Sequence, residues 1–190
     1  MAEEDDNGVT RRMLAAAPGA VLLAAAGAAA AQAPANFPIP PAGLTYVFTA
    51  SITLAPTLAF KGAYGERRMI GITGGKIEGP RLQGEVLPNG ADWQSIRADG
   101  TTTDLTARYA FKAADGTMIG VVNSGVRRGP PDVMARLRAG EVVDPKLYYF
   151  RAAPVFDVGA GPHQWLTENI FVSVGARYAA DVKLAYYMVT

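Results

Sequence analysis

Asp92 stands beside Trp93, directly after the turn sequence Pro88-Asn89-Gly90 and at the opening of a β-rich run. A carboxylate next to an indole suits proton transfer in an apolar pocket, where lost hydration raises the carboxyl pKa. The pair also suits a plain structural role, with Asp92 holding turn amides and Trp93 in the core; the sequence leaves the two balanced. Asp104 and Arg108 lie four apart in an alternating stretch, so they share one strand face, ~13 Å apart. That face is either the solvated outside of a sheet or the polar lining of a ligand cavity. Arg151 follows Tyr148-Tyr149-Phe150 and precedes Pro154. It either lies along apolar surface or clamps an anion or phenolate, and the clamp is the favoured reading. Asn123 is a polar residue inside MIGVVNSGV and asks for a partner, of which a ligand is one. In His163-Gln164-Trp165-Leu166 the histidine reads as a surface residue more than a catalytic one. Trp165 reads as a packing anchor or a pocket wall, and Asn169 as a cap or a ligand contact.

These readings set a candidate site. Asp92, Asp104 and Arg151 are the expected catalytic groups, with Asp104 and Arg151 facing the cavity. Trp93, Arg108, Tyr109, Asn123, Tyr149, Trp165 and Asn169 are the expected substrate contacts. No cofactor and no metal is expected: the chain has no cysteine and one histidine, too few for a zinc site of the usual His/Cys kind. Gly71–Gly75 contains no GxxxxGK[ST], so its glycines form no phosphate loop. There is no GxSxG elbow and no HExxH. The formal charge of +1 comes from interspersed signs, without the clustered basic face that nucleic acid requires.

The elements that must position these residues are strands. The 190 residues suffice for one domain, and 21 glycines and 13 prolines punctuate short apolar runs. Leu44–Leu54 reads as a first strand, with Tyr46, Phe48, Ala50 and Ile52 on one face. Gly74-Gly75 reads as a hairpin, Pro88-Asn89-Gly90 as a turn and Asp99-Gly100 as another hairpin. In Thr102–Phe111, Leu105, Ala107, Tyr109 and Phe111 oppose Asp104, Thr106 and Arg108. In Met118–Arg127, Ile119, Val121, Asn123 and Gly125 share a face. Pro130–Arg138 is the one helix candidate, with proline in the first turn, Asp132 at the positive end and Gly140 at the stop. It is expected to sit over a barrel end or a sheet edge. Lys146–Val155, Ile170–Arg177 and Asp181–Thr190 complete nine or ten strands. Meander-connected strands in that number close into an antiparallel up-and-down β-barrel, because closure removes exposed edges. An open sandwich is the second reading. Charges such as Arg67, Arg68, Asp104, Arg108 and Lys183 interrupt any continuous lipid-facing band.

Residues 1–33 read as an address rather than as fold. Arg11-Arg12-Met13-Leu14 opens an alanine-rich run that ends in Ala31-Gln32-Ala33. This resembles a twin-arginine export signal, cleaved after Ala33, with a periplasmic destination and no stable membrane insertion after cleavage. Its removal takes away two arginines and four acids, which moves the formal charge from +1 to +3. Residues 34–43 are a proline-rich lead-in, and residues 44–190 form the single domain.

Five blocks within residues 44–190 carry a family resemblance: GITGGKIEGPRLQGEVLPNGADW, DLTARY, NSGVR, YYFRAAPVF and WLTENIFVSVG. The chain resembles the domain-of-unknown-function 3237 family, also called uncharacterised protein family 0311. The resemblance implies a soluble β-barrel, and by analogy with fungal biosynthetic relatives it implies acid–base chemistry on polycyclic phenolic compounds. The expected function is therefore the binding of a small apolar or aromatic molecule, by a cofactor-free isomerase, cyclase or lyase. The alternatives are a non-catalytic periplasmic carrier and a structural assembly domain, and homo-oligomerisation is left open. Converging polar groups of opposite role in a roomy cavity favour the enzyme; a filled interior removes both the enzyme and the carrier.

Overall fold

The computed structural model describes residues 39–63 and 65–190, so the expected signal over 1–33 lies outside the described residues. Ala42–Thr190 form one compact unit. Ten strands make one antiparallel sheet: β1 (Leu44–Leu54), β2 (Leu58–Gly62), β3 (Gly65–Glu78), β4 (Gly84–Val86), β5 (Gly90–Ile96), β6 (Thr102–Ala113), β7 (Met118–Arg128), β8 (Tyr149–Asp157), β9 (Phe171–Arg177) and β10 (Asp181–Val189). β1 pairs with both β10 and β3, which closes the sheet into an eight-stranded barrel. β2 lies outside the ring as a hairpin arm on β3. β4 and β5 occupy one position in the ring, both held between β3 and β6.

The barrel reading therefore holds, and two turn readings within it do not. Gly74-Gly75 does not reverse the chain; β3 runs through it. Its φ angles of 140° and 154° accompany a register shift against β1 between Thr53 and Leu54. A side chain on Gly75 would run into the Ser51 carbonyl. The pair thus bends a long strand around the barrel rather than ending it. Pro88-Asn89-Gly90 is likewise a kink between β4 and β5, with Asn89 at φ 74°. Sequence marks the backbone irregularity at both places; only the partner strand decides whether it reverses the chain.

β1 also departs from simple alternation. The register shifts between Tyr46 and Phe48, so Val47 and Phe48 are both fully buried while Tyr46 is exposed. The bulge feeds an aromatic floor at one end of the barrel, built from Phe48, Phe111, Phe156, Phe171 and Tyr186, all buried. Phe48 stacks on Tyr186 with centroids 4.5 Å apart and meets Phe111 and Phe156 edge-on at 6.0 and 6.2 Å. Such pairs add about 0.5–1.5 kcal/mol each beyond area burial.

The other end is left open and is partly covered by the helix α1 (Pro131–Arg138), which buries Val133, Met134 and Leu137. Pro131 and Asp132 begin it, and Gly140 at φ 84° follows its end. Arg138 at its last turn donates to the Gly100 carbonyl at 2.8 Å, tying the helix to the β5–β6 hairpin. Gly175 in β9 fits against the Phe150 ring so closely that a Cβ there would overlap it. Gly175→Ala is expected to cost about 1–3 kcal/mol by overpacking, measured by urea denaturation.

Candidate functional site

Between the aromatic floor and the open end lies a cavity of about 50 Å³. Its walls are apolar, with Ile52, Ile70, Ile72, Leu105, Val182 and Leu184 pointing inward from four strands. Polar groups enter it from four strands: Asp92 and Gln94 from β5, Tyr109 from β6, Asn123 and Arg127 from β7, and Arg177 from β9. The period of two makes this arrangement. Asp92 and Gln94 are two apart, and Asn123 and Arg127 are four apart, so each pair shares a face.

Gln94 Nε2 donates to Asp92 Oδ2 at 2.6 Å, and Arg127 Nη2 donates to Gln94 Oε1 at 3.3 Å. The amide thus links the carboxylate to the guanidinium. Asp92 as a residue keeps some exposure, but its Oδ1 atom is buried and has no hydrogen-bond partner in the protein. Arg127 Nε and Asn123 Oδ1 are also buried without partners. Burial raises the Asp92 carboxyl above its ordinary value, against the hydrogen bond from Gln94 and the attraction of Arg127 and Arg177. Burial also pulls Arg127 down to about 10, although Asp92 opposes the shift. At the cavity floor the Tyr109 and Tyr186 hydroxyls lie 2.7 Å apart, both fully enclosed. Burial pushes both phenols up, so each stays a neutral O–H group at ordinary pH.

A carboxyl with raised pKa, an unpartnered amide oxygen, a phenol and a guanidinium around one apolar space can move a proton and stabilise a developing oxyanion. Among the described residues no group of three or more His, Cys, Asp or Glu side chains is placed to hold a metal ion.

Of the residues singled out by sequence, Asp92, Tyr109 and Asn123 line this cavity and the others do not. Asp104 points outward from β6 and forms a bidentate ion pair with Arg97 at 2.6 and 2.9 Å. The hydrogen bonds from Arg97 hold its carboxyl below the usual range. Arg151 also faces outward, donating to the Phe150 carbonyl at 2.9 Å and standing 5.2 Å from the Tyr149 ring. The expectation that Asp104 and Arg151 face the cavity is thereby corrected. Strand alternation fixed their face, and the apolar residues between them took the inside. For the same reason Trp93, 51% exposed, Arg108 and Tyr149 lie on the barrel exterior. Tyr149 is flanked by the guanidiniums of Arg128 and Arg151. Trp165 packs on Phe171 at the floor end, with the Arg81 guanidinium 4.0 Å above it. Asn169 donates to the Trp165 carbonyl at 2.8 Å and pins that loop. Asp104→Asn is expected to leave ligand binding and any turnover within about twofold of the parent, because exposed pairs contribute little; titration calorimetry and a rate assay check it.

Gln94, Arg127 and Arg177 were missed. The signal was present for two of them. Arg127 is the next member of the face carrying Ile119, Val121, Asn123 and Gly125. Arg177 continues the face of Phe171, Ser173 and Gly175. A charge at the end of an otherwise apolar face marks the mouth of a barrel.

Comparison with known proteins agrees with this architecture. A family model described as Protein of unknown function (DUF3237) matches residues 42–189. A UPF0311 protein of Bradyrhizobium diazoefficiens is 43% identical over 145 residues, covering 76% of this chain and 94% of that protein. The crystal structure of a β-barrel-like protein from Acinetobacter baumannii is similar at a TM-score of 0.70 and 33% identity, covering 80% of this chain and 98% of that one. The crystal structure of an enzyme from Penicillium herquei is similar at a TM-score of 0.59 and 21% identity, covering 80% and 97%. At that identity the likeness carries the fold alone.

Proposed function

The chain belongs to the DUF3237 family, and from that premise we propose that it is a small-molecule-binding barrel acting as a cofactor-free acid–base enzyme, of the isomerase, cyclase or lyase type, on an apolar aromatic or polyketide-like substrate. One observation carries this reading. Three buried polar atoms without partners, on Asp92, Asn123 and Arg127, meet at one apolar cavity. Each such atom costs about 1–3 kcal/mol when left unsatisfied, so a fold that keeps three together is organised for a ligand. In this reading Asp92 exchanges the proton, Gln94 orients it, Arg127 stabilises negative charge that develops on oxygen, and Tyr109 donates from the floor. At about 50 Å³ the cavity admits only the reacting edge of the substrate between its apolar walls, and the rest of the ring system lies towards the open end of the barrel. The reading also places the protein in the periplasm, after export and loss of residues 1–33. That a protein of the same fold from Penicillium herquei is described as an enzyme makes catalysis on this scaffold reasonable.

The test begins with a metabolite extract of the native source. The molecule retained by the protein is identified by mass spectrometry, and its conversion is followed with the parent and with Asp92→Asn. Conversion by the parent alone supports the enzyme. Retention of an unchanged molecule by both proteins supports the carrier, which the largely apolar walls would also serve.

A further inference from the structure

Above the cavity, towards α1, the barrel opens into a vestibule of about 320 Å³. Four arginines line it: Arg68, Arg127, Arg138 and Arg177, from β3, β7, α1 and β9. Among the described residues no carboxylate lines it with them. Arg68 is matched by Glu66 at 2.6 Å. The other three have no carboxylate within ion-pairing distance among the described residues. Arg138 is held by the Gly100 carbonyl, and Arg177 by the carbonyls of Tyr178 and Asp181. Arg127 is 7% exposed, lines both spaces and keeps its Nε buried and unpartnered. Asp181 attracts Arg177 through space without forming a pair with it.

Asp92 and Asp181 offset part of this charge from a distance, but no ion pair among the described residues holds these three guanidiniums, and the arrangement is worth keeping where an anion joins them. Their donors are planar forks, which fit a carboxylate through two parallel N–H···O bonds. Carbonyls fix Arg138 and Arg177 in advance, so little side-chain freedom is lost on binding. Building on the reading of the inner cavity as a ligand site, we infer that the substrate is an aromatic acid whose carboxylate is held in the vestibule by Arg127, Arg138 and Arg177, while the far edge of its ring system reaches from the vestibule into the inner cavity towards Asp92.

This orientation has a chemical consequence. The atom that exchanges a proton with Asp92 lies at the inner end of the molecule, remote from the carboxylate. The carboxylate therefore anchors and is not itself transformed. Arg127, which reaches both spaces, ties the anchor to the reacting end.

The experiment uses the full chain and three probes of one shape: naphthalene-2-carboxylate, naphthalene-2-methanol and 2-naphthyl phosphate. Titration calorimetry at low salt measures each against the parent, Arg138→Gln and Arg177→Gln, with thermal melts to establish that the variants are folded. The carboxylate is expected to bind the parent at least about tenfold more tightly than the alcohol, and to lose about tenfold or more in each variant, as for hydrogen bonds to charged groups. The alcohol is expected to change less than about twofold. Equal binding of carboxylate and alcohol, unmoved by either variant, overturns the anion site and leaves the cavity reading standing. Tighter binding of the phosphate ester overturns the carboxylate assignment. Failure of all three probes to bind the parent at millimolar concentration overturns both this inference and the ligand-cavity reading.

Discussion

Asp92→Asn is expected to abolish most turnover and, at the same time, to make the protein more stable at neutral and alkaline pH. The first effect follows from losing a positioned proton donor or acceptor, which lowers a rate by about 10²–10⁴. The second follows from the cost of keeping that carboxyl where it is. Burial raises its folded pKa in spite of Gln94, Arg127 and Arg177, so the folded state prefers the neutral form. Between the unfolded pKa and the raised folded one, the folded protein binds more protons than the unfolded chain. Stability therefore falls as pH rises through that window and stays lower above it. Asparagine keeps the acceptor for Gln94 Nε2, carries no charge and escapes this loss. The expected gain at pH 8 is about 0.5–2 kcal/mol, or ~2–4 °C in Tm for each kcal/mol in a domain of this size. As the pH falls towards about 3.5, where the parent carboxyl is protonated in the folded state and increasingly so in the unfolded chain, the difference between the two proteins should shrink. Thermal melts of both proteins from pH 3.5 to 8.5 check the sign. A variant that is less stable than the parent at pH 8 would mean that Asp92 is a structural anion, and the proton-transfer role would fall with it.

Phe48→Ala is expected to produce the largest loss of stability, about 3–5 kcal/mol. The side chain is fully buried, stacks on Tyr186 and touches Phe111 and Phe156 edge-on. Its neighbours come from three other strands spread around the ring, β6, β8 and β10, so they cannot all move in to fill the space. The hole left behind adds its own cost to the lost apolar transfer. Equilibrium urea unfolding followed by circular dichroism measures the change. A loss below about 1 kcal/mol would show that the floor repacks freely and is not the rigid base of the cavity. The floor also carries Tyr109, whose ring lies 5.5 Å from Phe111 and whose hydroxyl is bonded to Tyr186. Ligand affinity should therefore fall along with stability in this variant. In Gly175→Ala the strain falls on Phe150, a wall residue of the same cavity.

Both variants rest on side chains of different legibility. Phe48 could be named as core from sequence, because it lies among alternating apolar residues in β1. The burial of Val47 beside it could not, since the bulge that turns both inward is set by the pairing with Tyr186 and Tyr187 of β10. Asp92 could be named as a candidate but not decided, because the turn-holding role and the pocket role need the same residue type. What separates them is the enclosure of Oδ1 by residues far away in sequence.

The sequence by itself determined which residues share a face, because a strand alternates with a period of two. It placed Leu105, Ala107, Tyr109 and Phe111 together and Asp104, Thr106 and Arg108 opposite them, and it carried the glycine pattern and family blocks that go with a barrel. Only the tertiary structure decided which face looks inward, and it did so by closure: joining β1 to both β3 and β10 buries the apolar face and leaves Asp104, Arg108 and Arg151 outside. The site is likewise a product of closure. Asp92, Asn123, Arg127 and Arg177 lie on three strands and up to 85 positions apart, and no local pattern links them. A cavity is made by the curvature of the whole sheet, so its polar lining is written in long-range pairing and not in any one stretch of chain.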